Sequence, residues 1–107
     1  MKYTALLEWA AEPVTSENCN FIEEWYSKLE SIEELDALAI WLAESFVDGE
    51  VKYDIASVLF NQIMPVVGFE EAPRIFWLFY GAFEDFEISE KPDEEAVVSI
   101  RSVLATL

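Results

Sequence analysis

Ser31-Ile32-Glu33-Glu34-Leu35-Asp36-Ala37-Leu38-Ala39-Ile40-Trp41-Leu42-Ala43-Glu44-Ser45-Phe46-Val47-Asp48-Gly49 reads as one complete helix with both of its ends written in. Ser31 and Glu34 form a capping box, in which hydroxyl and carboxylate each accept the other residue's backbone N–H. Leu35, Leu38, Leu42 and Phe46 recur at three- and four-residue steps and make one buried face. Gly49 supplies the left-handed turn that ends such a helix.

The same pattern extends in both directions. A short helix over about Thr4 to Ala11 stops before Pro13. A second is expected from a Ser16 cap to about Glu30, burying Ile22, Trp25 and Leu29. A fourth spans roughly Tyr53 to Met64, ended by Pro65 and Gly68, with a loop from Val66 to Ala72. The fifth, Pro73 to Phe83, is apolar on every side and is expected to be surrounded by the others. A buried strand competes for part of that aromatic run. After a loop over Phe86 to Pro92, Lys91-Pro92-Asp93-Glu94-Glu95 opens a last helix with inward residues Val97, Ile100, Leu104 and Leu107. The expected fold is all-α: one domain over residues 1–107, five to six antiparallel helices around a central aromatic-rich helix.

Composition supports a packed core. The 107 residues include eight Phe, four Tyr and four Trp, against three Gly and four Pro. Disordered acidic chains lack such aromatic content. The charge is the anomaly: 22 acidic residues face six basic ones, with no histidine, for a net charge of -16. That excess makes the compact state repel itself. It also disfavours phosphate-rich nucleic acid and anionic membrane as ligands. Met1 to Trp9 has too short an apolar run, broken by Glu8, for a signal peptide, and no stretch approaches a membrane span.

Catalytic chemistry finds little support. Without histidine there is no Ser-His-Asp or Cys-His arrangement, and the single Cys19 reads as a small filler at the core edge. Asp48-Gly49-Glu50-Val51-Lys52-Tyr53-Asp54 lacks the acid spacing and the terminal Glu of a calcium loop. No phosphate-cradling Gly-rich loop and no carrier-type attachment serine is present. No catalytic residue, cofactor or metal is expected.

The acids divide by position. Glu17, Glu33, Glu34, Glu70, Glu71, Asp93, Glu94 and Glu95 fall near helix starts, where the dipole favours negative charge. Glu30, Glu44, Asp48, Glu50, Glu84, Asp85 and Glu87 fall at helix ends, where it does not. On the third helix, Glu34, Ala37, Trp41, Glu44 and Asp48 share a face about 120° from the core face. Trp41 therefore reads either as packing against a neighbouring helix or as an aromatic anchor ringed by carboxylates. Glu84, Asp85 and Glu87 form a second candidate patch, and Tyr53 with Glu50 and Asp54 a third.

In size, charge and helical content the whole chain resembles bacterial immunity proteins of the colicin or contact-dependent inhibition type. It is equally similar to phage-encoded nucleic-acid mimics. The resemblance carries no motif and transfers no residue. It implies a cytoplasmic, monomeric inhibitor whose partner is a basic protein such as a nuclease toxin. Two alternatives stand beside it: a nucleic-acid mimic of the anti-restriction or anti-CRISPR kind, and an acidic adaptor or secretion chaperone.

Overall fold

The computed structural model describes residues 3–13 and 15–107, so Met1, Lys2 and Val14 lie outside it, the first two with the opening of the amino-terminal segment. Among the described residues six helices follow in order: α1 Thr4–Ala10, α2 Phe21–Ser27, α3 Glu34–Val47, α4 Tyr53–Val67, α5 Arg74–Glu84 and α6 Pro92–Ala105. No strand occurs among the described residues, which decides the aromatic run in favour of helix. The Cα radius of gyration is 13.2 Å, matching the roughly 13 Å expected for a single compact domain of this length.

α3 and α4 fill the centre. α3 packs on α4, α5 and α6, while α1 and α2 lie against α4. Leu35, Leu38, Leu42 and Phe46 are buried as the periodicity requires. Glu34 accepts the Ser31 N–H at 3.1 Å and also the Glu30 N–H at 2.7 Å. The Ser31 hydroxyl accepts Glu33 N–H at 3.2 Å rather than that of Glu34. The shift by one residue follows from the tight turn before the helix, where Glu34 N–H bonds back to the Ser31 carbonyl at 3.1 Å. At the other end Gly49 takes φ +81°, with Glu50 N–H on the Ser45 carbonyl at 2.9 Å and Gly49 N–H on Phe46 at 3.1 Å. That pair of bonds is a Schellman motif.

Five expectations need correction. α2 is shorter, because Asn18 organises the preceding turns. Its side chain accepts Thr15 N–H at 2.6 Å and donates to the Pro13 carbonyl at 3.1 Å. Its own carbonyl accepts the Trp9 indole N–H at 2.9 Å. Ser16 therefore caps nothing, and Cys19 is exposed rather than core filler. α4 runs through Pro65 to Val67 and stops at Gly68, φ +92°. Proline gives up one backbone bond, but burial of Ile63, Met64 and Val67 carries the helix on. Leu107 lies beyond α6 and is 56% exposed.

The fifth correction concerns α5, which packs on α3, α4 and α6 but is not enclosed. Phe76, Phe79 and Phe83 are buried, whereas Trp77 is 48% and Leu78 40% exposed. Three phenylalanines on one stripe hold the helix, with Ile75, Tyr80 and Ala82 partly buried at its margins, so Trp77 and Leu78 remain outside. Phe83 is the hub of an aromatic core, with ring centroids 5.1 Å from Phe60, 5.3 Å from Phe46 and 5.8 Å from Tyr53.

Candidate functional site

The acidic row on α3 faces outward, as expected, but its members differ in use. Ala37, Glu44 and Asp48 are exposed. Glu34 is half-buried with its carboxylate committed to the Glu30 and Ser31 N–H groups. It lines a small recess with Tyr3, Trp25 and Leu29. Trp41 is half-buried under the Tyr3 ring, 4.9 Å between centroids at 50°. Its packing on the α1 region makes it first of all a structural contact.

Tyr53 also departs from the expectation of a surface patch with Glu50 and Asp54. It begins α4, is buried, and its hydroxyl donates to the Phe83 carbonyl. The fold needs that contact because it ties the first turn of α4 to the last turn of α5. One consequence is that the second and third patches join. Burial pushes the Tyr53 hydroxyl above the ordinary phenol range; a Ser57 hydrogen bond opposes this, and Glu87, Asp85 and Glu84 add to it. Asp54 and Glu87 line an open groove of about 450 Å³ with Tyr53, Ser57, Val58 and Pro92. Glu87 is held over α4 by the Asn61 side-chain amide, which donates to it at 2.7 Å.

Asp54 and Glu87 thus line one groove, Glu84 and Asp85 lie near enough for their charges to act on Tyr53 in it, and all four are exposed. Glu50 is exposed in the turn between α3 and α4. The Trp41 row is not brought onto this groove. Chemically, the groove offers carboxylate acceptors to a cationic side chain over an apolar floor. Among the described residues, no cluster of three or more carboxylate or thiol groups is placed to hold a metal ion. Nor is any helix there long and apolar enough to cross a membrane.

Two features escaped the sequence reading. Asp36 accepts Phe76 N–H, and Asp93 accepts Tyr53 N–H, each at 2.8 Å. These acids cap helices other than their own. The second feature is an exposed ring cluster. Phe69, Trp77 and Tyr80 meet in a triangle, with centroid distances of 5.6 Å (Phe69–Trp77), 5.8 Å (Phe69–Tyr80) and 5.7 Å (Trp77–Tyr80). A helical wheel carries the signal for it, since Trp77 falls about 100° from Phe76 and outside the Phe76–Phe79–Phe83 stripe. Compared with known proteins, the chain matches no family, no curated protein and no solved structure.

Proposed function

We propose that this protein is an immunity-type inhibitor, a non-catalytic binder that neutralises a basic protein, such as a nuclease toxin, through its acidic surface. One observation carries the reading. None of the six helices has a basic residue in its last turn, while Glu44 and Asp48 end α3 and Glu84 and Asp85 end α5. Those placements oppose the helix dipole and bring no folding benefit. Local preference set aside in this way points to selection for binding.

Carboxylates on a rigid scaffold offer Arg and Lys the charge-assisted acceptors that a phosphate backbone would offer. They also accelerate encounter with a basic partner. The gathering of Asp54, Glu84, Asp85 and Glu87 beside one groove supports a compact interface over a long nucleic-acid-like face. In this reading the protein works as a monomer in the cytoplasm, where exposed Cys19 stays reduced. The test is association with the polypeptide encoded beside it, measured at low and high salt. Tight binding that weakens steeply with salt is expected. Absence of binding, or binding indifferent to salt, would overturn the proposal.

A second reading, an acidic adaptor for an unfolded basic client, is favoured by the exposed Phe69–Trp77–Tyr80 cluster. Preference for the unfolded over the native form of the same basic protein would select it.

A further inference from the structure

We infer that the outer face of α5, centred on the Phe69–Trp77–Tyr80 cluster, is the anchor of the interface and receives an arginine-bearing surface of a basic protein. This rests on the binding reading above and adds to it where the partner docks and by which side chain. Phe69 is 56% and Trp77 48% exposed, with the half-buried Tyr80 ring beneath them. A contiguous group of large apolar side chains left open on a small protein marks an interaction surface. Tryptophan and tyrosine are also the residues in which interface energy concentrates.

The surroundings of the cluster decide the occupant. Glu70 and Glu71 follow Phe69 directly, and the Tyr80 hydroxyl donates to the Glu84 carboxylate at 3.5 Å. Burial, then the Glu84 charge and its hydrogen bond, then Glu87, raise the Tyr80 hydroxyl above its ordinary value, so carboxylate charge reaches the Tyr80 corner of the cluster. A second copy of this chain would set -16 against -16, and an anionic lipid surface is repelled equally. A cation is attracted twice, by the ring faces and by the acids around them. Arginine fits better than lysine because its planar guanidinium stacks on an aromatic face while donating to a carboxylate such as Glu84.

Gly81 strengthens the assignment. It sits in the interior of α5 on the exposed side, where glycine weakens a helix, and no neighbouring atom lies within 4 Å of the position a Cβ would take. Packing gives no reason for it. Its effect is to leave the ground open between Trp77 and Glu84, one turn before and nearly one turn after.

The experiment titrates the isotope-labelled full-length protein with hexa-arginine and hexa-lysine peptides, following Trp77 indole and backbone resonances. Hexa-arginine should shift Trp77, Tyr80 and Glu84 and bind about five-fold more tightly than hexa-lysine. Trp77→Ala should remove that difference, and Trp77→Phe should keep part of it. Mapping on the unmutated protein keeps the test valid should a variant fold poorly. Shifts confined to the Tyr53–Asp54–Glu87 groove, with Trp77→Ala binding unchanged, would overturn the α5 anchor and leave acidic-surface binding standing. No binding of either peptide would overturn both. Self-association abolished by Trp77→Ala would overturn the choice of partner.

Discussion

The Phe76 N–H donates to the Asp36 carboxylate at 2.8 Å, so that an acid in the first turn of α3 caps α5 across 40 residues of chain. α5 begins after Pro73, whose side chain cannot cap. Asp93 does the same for α4, accepting Tyr53 N–H at 2.8 Å from the first turn of α6. Each contact joins local helix-end satisfaction to tertiary packing, because the cap forms only when the two helices dock. Asp36→Ala should therefore lower stability by about 1–2 kcal/mol in urea denaturation, and Asp36→Asn, which keeps the acceptor, by less. A loss no larger than that of an exposed control such as Glu23→Ala would mean that the cap contributes little.

The acids at helix ends should behave in the opposite way. Glu84 and Asp85 are exposed at the last turn and C-cap of α5. Replacing either with lysine puts the favoured sign at that end and reduces the net charge. Thermal stability should hold or rise, by about 0.3–1 kcal/mol per position. Affinity for a hexa-arginine probe should fall at low salt. Unfolding on substitution would return these residues to a structural role.

These two classes of acid explain what was legible in the sequence. Helix existence was, because Leu35, Leu38, Leu42 and Phe46 repeat at helical spacing and Gly49 marks a stop. The long-range caps were not, since Asp36 and Asp93 look like ordinary first-turn acids and only docking of α3 on α5 and of α6 on α4 reveals their second use. Tyr53 was misplaced for a related reason: a tyrosine between Glu50 and Asp54 looks superficial until the Phe83 carbonyl gives its hydroxyl a buried partner. On α5, total apolarity suggested enclosure. Burial is in fact set by how many neighbours are available, and here they cover the Phe76–Phe79–Phe83 stripe fully, its margins in part and Trp77 and Leu78 least.

Tyr53 gives a pH signature. Its hydroxyl bond to Phe83 contributes about 1 kcal/mol at neutral pH, so Tyr53→Phe should destabilise by that amount. Burial, with the charges of Glu87, Asp85 and Glu84, raises the folded-state value above the unfolded one, despite the Ser57 bond. The stabilisation is therefore complete below about pH 10 and is lost as pH rises through the folded-state value. Urea titrations of both proteins across that range should show the wild-type advantage shrinking in alkali. A constant gap would mean that Tyr53 does not ionise on unfolding.

Gly49 and Gly81 separate conformational need from surface design. Gly49 has φ +81°, so Gly49→Ala should cost roughly 1 kcal/mol although nothing lies within 4 Å of its added Cβ. Gly81 is helical with equally open space, and Gly81→Ala should stabilise by roughly 0.5–1 kcal/mol. Paired thermal melts read both. A destabilising Gly81→Ala would mean that the α5 backbone needs glycine there, removing it from the interface argument.

The two exposed-side tryptophans should divide stability from binding. Trp41 packs under Tyr3 with ring centroids 4.9 Å apart, and its truncation removes both that pair and partial burial against the core. Trp41→Ala should cost about 2 kcal/mol, below the 3–5 kcal/mol typical of fully buried aromatics. Trp77 rests on exposed Phe69 and half-buried Tyr80 and is itself not packed on the core, so Trp77→Ala removes little core contact. Its melting temperature should change less than that of Trp41→Ala, while its affinity for hexa-arginine falls further. The reverse ordering, with Trp41→Ala stable but binding-defective, would move the anchor to α3, where Glu44 and Asp48 already supply an acidic row.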